Sequence, residues 1–315
     1  MLAFFLACPA ATESADPRVD ELLDTVEQQA ALIEDLTARL EAVEGAGYAT
    51  TADVGAQLGE LAELAPLLEI GGTEVALVGA NLHVRSGAGA TDAEPNGLGN
   101  LVVGYGENPD AMDRSGSHNV VIGAEHGYSS YGGLVAGHAN TVSAPSSSVT
   151  GGDHSVASGE FSAVSGGHYH VASGTSAWAG GGTYGTASGD FAAVAGGYRN
   201  AATALSAAVA GGFENTASEE ATVVSGGYRN IASGLYSSVS GGERNDATGK
   251  QASICGGSAN TATAIAATVS GGYLNDATGG ASSISGGYNN SATAYWSSVH
   301  GGKDVTIDAD YAYGP

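Results

Sequence analysis

Basic residues are scarce in this chain: nine Lys+Arg stand against 33 Asp+Glu, a formal charge of −24 over 315 residues. With no basic stripe to offset that field, phosphate backbones and anionic headgroups are repelled, which excludes nucleic acid as an expected partner. Cysteine is almost absent. Cys8 and Cys255, far apart, form neither a disulfide framework nor a metal-ligand spacing, and Cys255 fills a repeat position that otherwise holds mostly Ser or Ala. Long apolar runs are missing too, so no segment is expected to cross a membrane as a helix. What is abundant is glycine, 51 residues, with 14 tyrosines. That mixture is unusual for a compact domain and fits a repeat architecture.

The acidity is unevenly placed. Residues 1–131 hold 21 carboxylates against 4 Lys+Arg, and 132–296 hold 9 against 4. Residues 1–17 form a signal- or lipoprotein-like segment and spacer: the apolar run Leu2 to Ala7 ends at Cys8, the lipidation candidate, although no Lys or Arg precedes the run. Export is the expectation, with any membrane contact made through that N-terminal lipid anchor.

From 18 to 46 the pattern predicts a coiled-coil stalk. Val19, Leu22, Val26, Gln29, Ile33, Leu36, Leu40 and Val43 step by three and four, a heptad seam with Gln29 at a d position. A stripe confined to a and d is narrower than a core helix needs. These eight residues are the expected contacts between associating chains, and the helix should stop at Gly45-Ala46-Gly47. A helical neck is expected over 47–69, with Leu58, Leu61, Leu64 and Leu68 in helical spacing. Transition strands and loops follow over 70–117, with Val75, Leu77, Leu82, Val84 and Leu101–Val103 as strand signals.

The head, 118–302, is a repeat, and 303–315 reads as a C-terminal cap. In one register the turns run SSVSGGERNDATGKQ (237–251), ASICGGSANTATAIA (252–266), ATVSGGYLNDATGGA (267–281) and SSISGGYNNSATAYW (282–296), and eleven such turns extend from Gly132 to Trp296. A fixed period with apolar columns marks a solenoid. The third column runs Leu134, Val149, Val164, Ala179, Val194, Val209, Val224, Val239, Ile254, Val269, Ile284; the eleventh runs Val142 and then alanine from Ala157 to Ala292. Stacking should turn these into two buried ladders, one bulky and one small. Glycine at the fifth, sixth and thirteenth places and Asn at the ninth read as corners, and stacked amides can also bond along the axis. One bulky and one small apolar residue per turn is a sparse core, so sister chains are expected to share surface.

In the turn 118–131, Val120-Val121-Ile122-Gly123 resembles the head repeat of the YadA-like trimeric autotransporter adhesins, V-A-I-G-x-x-S-x-A-x-G, and Gly227, Asn230, Ala232 and Gly234 keep its spacing. The likeness covers about 190 residues. It implies an all-β repeat, a left-handed parallel β-roll or β-solenoid of 15-residue turns, assembled as a homotrimer on the coiled coil and displayed outside the cell or on a bacterial surface. Two departures stand out: glycine in place of a bulky Ile at the fifth column, and no membrane barrel after the last turn, so that export would rest on the N-terminal segment or on delivery as part of a virion.

Candidate sites are few. His138, Asp153 and His168 share the seventh column and would permit a metal, but with no further ligand column they read as solvated residues; the expectation is no metal and no cofactor. Gly180–Gly185 matches a dinucleotide fingerprint by letter while the repeat register runs straight through it, and no catalytic constellation stands out, so the chain is not expected to be an enzyme. Tyr198, Arg199, Phe213, Tyr228, Arg229, Tyr273 and Tyr288 fall in the seventh and eighth columns as a candidate ligand ridge, since Tyr and Arg are favoured contact residues. The expected function is an adhesin-like extracellular homotrimeric fibre binding a host or matrix surface protein or a glycan. A phage tail-fibre component and an ice- or glycan-binding solenoid are the alternatives.

Overall fold

A computed structural model describes residues 17–45 and 67–315, which divide into one unit up to Leu82 and a second from His83 onward. Cys8, residue 46 at the end of the expected stalk and residues 47–66 of the expected neck lie outside the described residues, as do the side chains of Val19 and Val43. No described helix is long and apolar enough to cross a membrane.

In the first unit, helix α1 spans Pro17–Gly45. Proline suits the first helical turn, where its missing N–H leaves no bond unmade, and glycine ends the run as the sequence predicts. Leu22, Val26, Ile33, Leu36 and Leu40 are all more than half exposed on this single chain. The seam of the heptads is therefore unburied, while the polar side carries pairs such as Arg39–Asp35 at 3.7 Å. Strands β1 (Leu68–Gly71) and β2 (Glu74–Leu77) form an antiparallel hairpin closed through Gly72 in a left-handed conformation. Leu68, expected to end a helix, belongs to this hairpin. Leu82 and Val84, expected in a strand, lie in none.

The second unit is a parallel β-solenoid of about fourteen turns. Its first strands are β3 (Leu101–Val103), β4 (Val120–Ala124), β5 (Gly127–Tyr128) and β6 (Leu134–His138). Thereafter each turn contributes one two-residue strand to each of two parallel sheets, which hold 15 and 13 strands among the described residues. The register is strict: Val239 pairs with Ile254 and Ala247 with Ala262, fifteen residues apart. A third line of single parallel bridges joins the seventh columns from His138 to Lys303. The stack also runs beyond both expected borders. It takes in Leu101–Val103 at one end, while 303–315 adds strands at Thr306–Ile307 and Tyr313–Gly314, so the expected cap is another turn.

The third and eleventh columns are buried as expected, with Val239 and Ala247 fully enclosed. Leu134 is an exception. Val135 takes the buried place and pairs with Val149, because β4 and β6 run through five residues with one glycine where later turns have two. By the same alignment Val121 is the buried residue and Ile122 faces outward. The second glycine of later turns is thus an added residue, not a replacement for Ile122, and it breaks each five-residue strand into a two-residue strand and a lone bridge.

Two further columns are buried that the sequence reading left outside. The first holds Ala, Ser or Thr; Ser147 Oγ donates to Ala144 O at 2.8 Å, whereas the buried Ser282 hydroxyl has no partner among the described residues. The ninth holds the asparagines. Asn245 Nδ2 donates to Gly241 O at 2.8 Å in its own turn and to Gly257 O at 3.0 Å in the next, while its Oδ1 accepts the Asn260 N–H at 3.0 Å. The axial bonding foreseen for the ninth column is present, but inside the stack and directed to the backbone. Since a stranded buried partner costs about 1–3 kcal/mol, each satisfied amide contributes to cohesion between turns and not only within one.

The corners differ from expectation as well. Left-handed residues occur at the eighth and fifteenth columns and are mostly not glycine: Arg244 has φ 53° and Gln251 φ 59°. Gly242 does have φ 91°, and a Cβ there would also lie 2.1 Å from Gly257 O. Gly249, in the thirteenth column, is not left-handed; a Cβ would sit 2.0 Å from Ala264 O, so close stacking of backbones, not a turn angle, selects glycine there.

Candidate functional site: aromatic and histidine rows along one corner

Because the seventh column is pinned by the bridge ladder and the eighth is left-handed, their side chains leave one corner of the solenoid in two parallel rows. Spacing along a parallel ladder of about 4.8 Å is close to ring-stacking distance. Tyr198, Phe213 and Tyr228 accordingly stack with centroids 4.8 and 5.2 Å apart. Tyr273 and Tyr288 pair at 5.6 Å, but Glu243 and Ser258 occupy the bridges between them and Tyr228. The predicted ridge is therefore two aromatic segments in one column.

Arg199 and Arg229 stand in the adjoining row. Arg199 lies over the Tyr198 ring at 5.1 Å and Arg229 over Tyr228 at 5.0 Å. Glu214 sits between the two arginines, accepting from Arg229 Nε at 2.6 Å with Arg199 Nη1 at 3.6 Å. The hydrogen bond from Arg229 to Glu214 holds the guanidinium above its ordinary value. The arrangement fixes the long arginine stems over aromatic faces and leaves rings and guanidinium groups open to a ligand.

The structure adds members that the sequence reading missed. Tyr169 and Tyr184 stack at 5.2 Å in the eighth column and reach Tyr198 edge-on at 5.9 Å, prolonging the ridge. The signal was present as aromatics one place later in the repeat. A separate aromatic edge runs along the fourteenth and fifteenth columns, where Phe161, Phe191, Tyr295 and Trp296 are each more than half exposed. Ile265, Ala281, Tyr295 and Trp296 line a shallow apolar groove there.

Beyond the ridge, the same corner carries imidazoles. His138 Nδ1 and His154 Nδ1 each lie 2.8 Å from Asp153 Oδ1, and His168 Nδ1 lies 2.9 Å from Asp153 Oδ2. His138 Nε2 is 3.5 Å from Glu125 Oε2. The hydrogen bond to Asp153 raises the His138 pKa, and the same bond lowers that of Asp153. His154, from the eighth column, joins this cluster as a third imidazole outside the seventh column. The apparent dinucleotide fingerprint is explained within the stack: Gly185 abuts the buried His170, whose Nδ1 accepts the Gly185 N–H at 3.0 Å. Cys255 is exposed and unpaired.

No protein-family model matches this chain, and no curated protein is found to be similar to it.

Proposed function

We propose that the chain is an extracellular, adhesin-like fibre on a bacterial surface, self-associated as a homotrimer through the α1 seam, that acts by binding and not by catalysis. The observation that carries this reading is the exposed seam. Leu22, Val26, Ile33, Leu36 and Leu40 present an apolar stripe, interrupted at Gln29, to solvent on a single chain, and an unburied a/d stripe is stable when sister helices cover it. The corner bearing Tyr198, Arg199, Phe213, Tyr228 and Arg229 supplies a rigid contact surface for a host or matrix protein or a glycan, because its backbone is held by the bridge ladder and its ordering cost is met before any partner arrives.

An ice-binding face would need regular Thr pairs. The tenth column, which faces outward on one sheet, interrupts its threonines with Val156, Ala201, Ile231 and Asp246, so that reading has less support. A tail-fibre component shares the trimeric stalk and differs in processing: an intact N-terminus on the native protein, with no cleavage or lipid at Cys8, would favour it. The decisive measurement is the mass of the full chain in solution at micromolar concentration by light scattering. Three chains per particle are expected; a monomer would remove the proposal.

A further inference from the structure

We infer that His138, Asp153 and His154 form a binding site for a divalent first-row transition-metal ion of the zinc class, with His168 and Glu125 as supporting groups. Imidazole nitrogen combined with carboxylate oxygen is a donor set such ions take, whereas Ca2+ and Mg2+ require oxygen donors throughout. Among the described residues, these three form a group whose donor atoms all lie within 4.8 Å of one another. Both Nδ1 atoms lie 2.8 Å from the same oxygen, Asp153 Oδ1. A tetrahedral ion with bonds near 2.0–2.1 Å keeps its donors about 3.3 Å apart. Each of these two N···O separations therefore has to widen by about half an ångström to admit the ion.

The groups around these donors are those a metal site uses. His138 Nε2 faces the Glu125 carboxylate at 3.5 Å, so the far side of the ring has a partner that orients it when Nδ1 is a ligand. His168 Nδ1 holds the second oxygen of Asp153 at 2.9 Å and leaves Oδ1 directed at the other two imidazoles. The His168 ring is itself braced edge-on by Tyr169 at 4.1 Å. Backbone placement is equally firm: consecutive bridges join His138 to Asp153 and Asp153 to His168, and His154 follows Asp153 at a left-handed corner with φ 51°. His138 and His154 are exposed, so an ion has direct access and retains open positions for water or for a donor group on a partner. The site adjoins the aromatic ridge through Tyr169, which lies 5.0 Å from the His154 ring, and does not rest on the fibre reading.

The test uses the full chain, free of any affinity tag and stripped with a chelator, titrated with ZnCl2 by calorimetry and with CoCl2 by visible absorption. One ion per chain and a tetrahedral or five-coordinate Co2+ spectrum are expected. His154→Ala and Asp153→Asn should each weaken Zn2+ binding by at least about tenfold, and His168→Ala by about tenfold or less. Because these side chains lie on the surface, the variants should keep the wild-type circular dichroism and melting curve, so a loss of binding reads the site and not the fold. No Zn2+ binding in the micromolar range would overturn the proposal. So would undiminished affinity in His154→Ala and Asp153→Asn, or Ca2+ competing with Zn2+ at equal concentration.

Discussion

At the scale of single residues, the stack tolerates polar groups where each finds a partner and is strained where one does not. Asp246 and Asp276 show the second case. Each lies on the outer face of a sheet between close neighbours, Ile231 and Thr261 for Asp246, Thr261 and Ser291 for Asp276. One oxygen of each carboxylate is sealed without a hydrogen-bond partner, and burial pushes both acids above the usual Asp value of 3.8. A raised folded pKa means that the charged form is penalised by folding. Whatever stability each group lends is complete below its unfolded pKa and is lost as the pH rises through the folded one. At neutral pH both therefore weaken the stack. Asp246→Asn and Asp276→Asn should each stabilise the chain at pH 7, by about 0.5–1 kcal/mol once partial exposure is allowed for. The gain should fade below about pH 4, where the wild-type acids are already neutral. Denaturant unfolding at both pH values measures this; an equal effect at the two would place its cause elsewhere.

At the scale of the turn, the ninth column explains both a departure from the repeat and the limits of reading it. Where most turns place Asn, three in succession hold Ser155, His170 and Gly185; the His170 backbone N–H donates to Ser155 Oγ at 3.1 Å, and the His170 ring leaves Nε2 sealed without a partner. The imidazole is accommodated because the next turn has Gly185 at the same place: a Cβ there would lie 2.6 Å from His170 Nδ1. Gly185→Ala should cost about 1–3 kcal/mol as overpacking. His170→Asn should restore most of that loss, since asparagine stacks below side-chain-bearing residues at this place in the turns from Asn200 to Asn290. A double-mutant cycle on thermal unfolding gives the coupling, and simple additivity would contradict the pairing. The third and eleventh columns were legible in the sequence because burial there needs apolar residues. The first and ninth were not, because Ser and Asn are buried through hydrogen bonds that only the stacked neighbours reveal. Corners were misread for a related reason. Stacking holds Arg244 and Gln251 left-handed where an isolated turn would call for glycine. His154 was overlooked because the convergence on Asp153 crosses columns and follows from the left-handed corner, which the alternation of residues does not encode.

At the scale of the whole molecule, the two units bury their apolar surface differently. The solenoid encloses its third column: Val149 through Val299 are shielded by adjacent turns of the same chain, while Phe161, Phe191, Tyr295 and Trp296 stay exposed at its edge. α1 encloses none among its described seam residues, so the association proposed here should be located in the helix and separable from the fold of the repeats. Gln29 fits that role, since a polar residue in a seam fixes register and chain number at some cost in stability. Ile33→Asp combined with Leu36→Asp places a carboxylate at neighbouring a and d positions in every chain, and burying several like charges together costs more than the seam can return. The expected outcome is a single chain by light scattering, with the strand signal in circular dichroism retained. Ala38→Asp, on the face opposite the seam, should leave the mass unchanged and controls for charge added to the helix. If the doubly substituted chain stays fully associated, the contacts lie in the solenoid, and its outward columns, not the heptads, hold the molecules together.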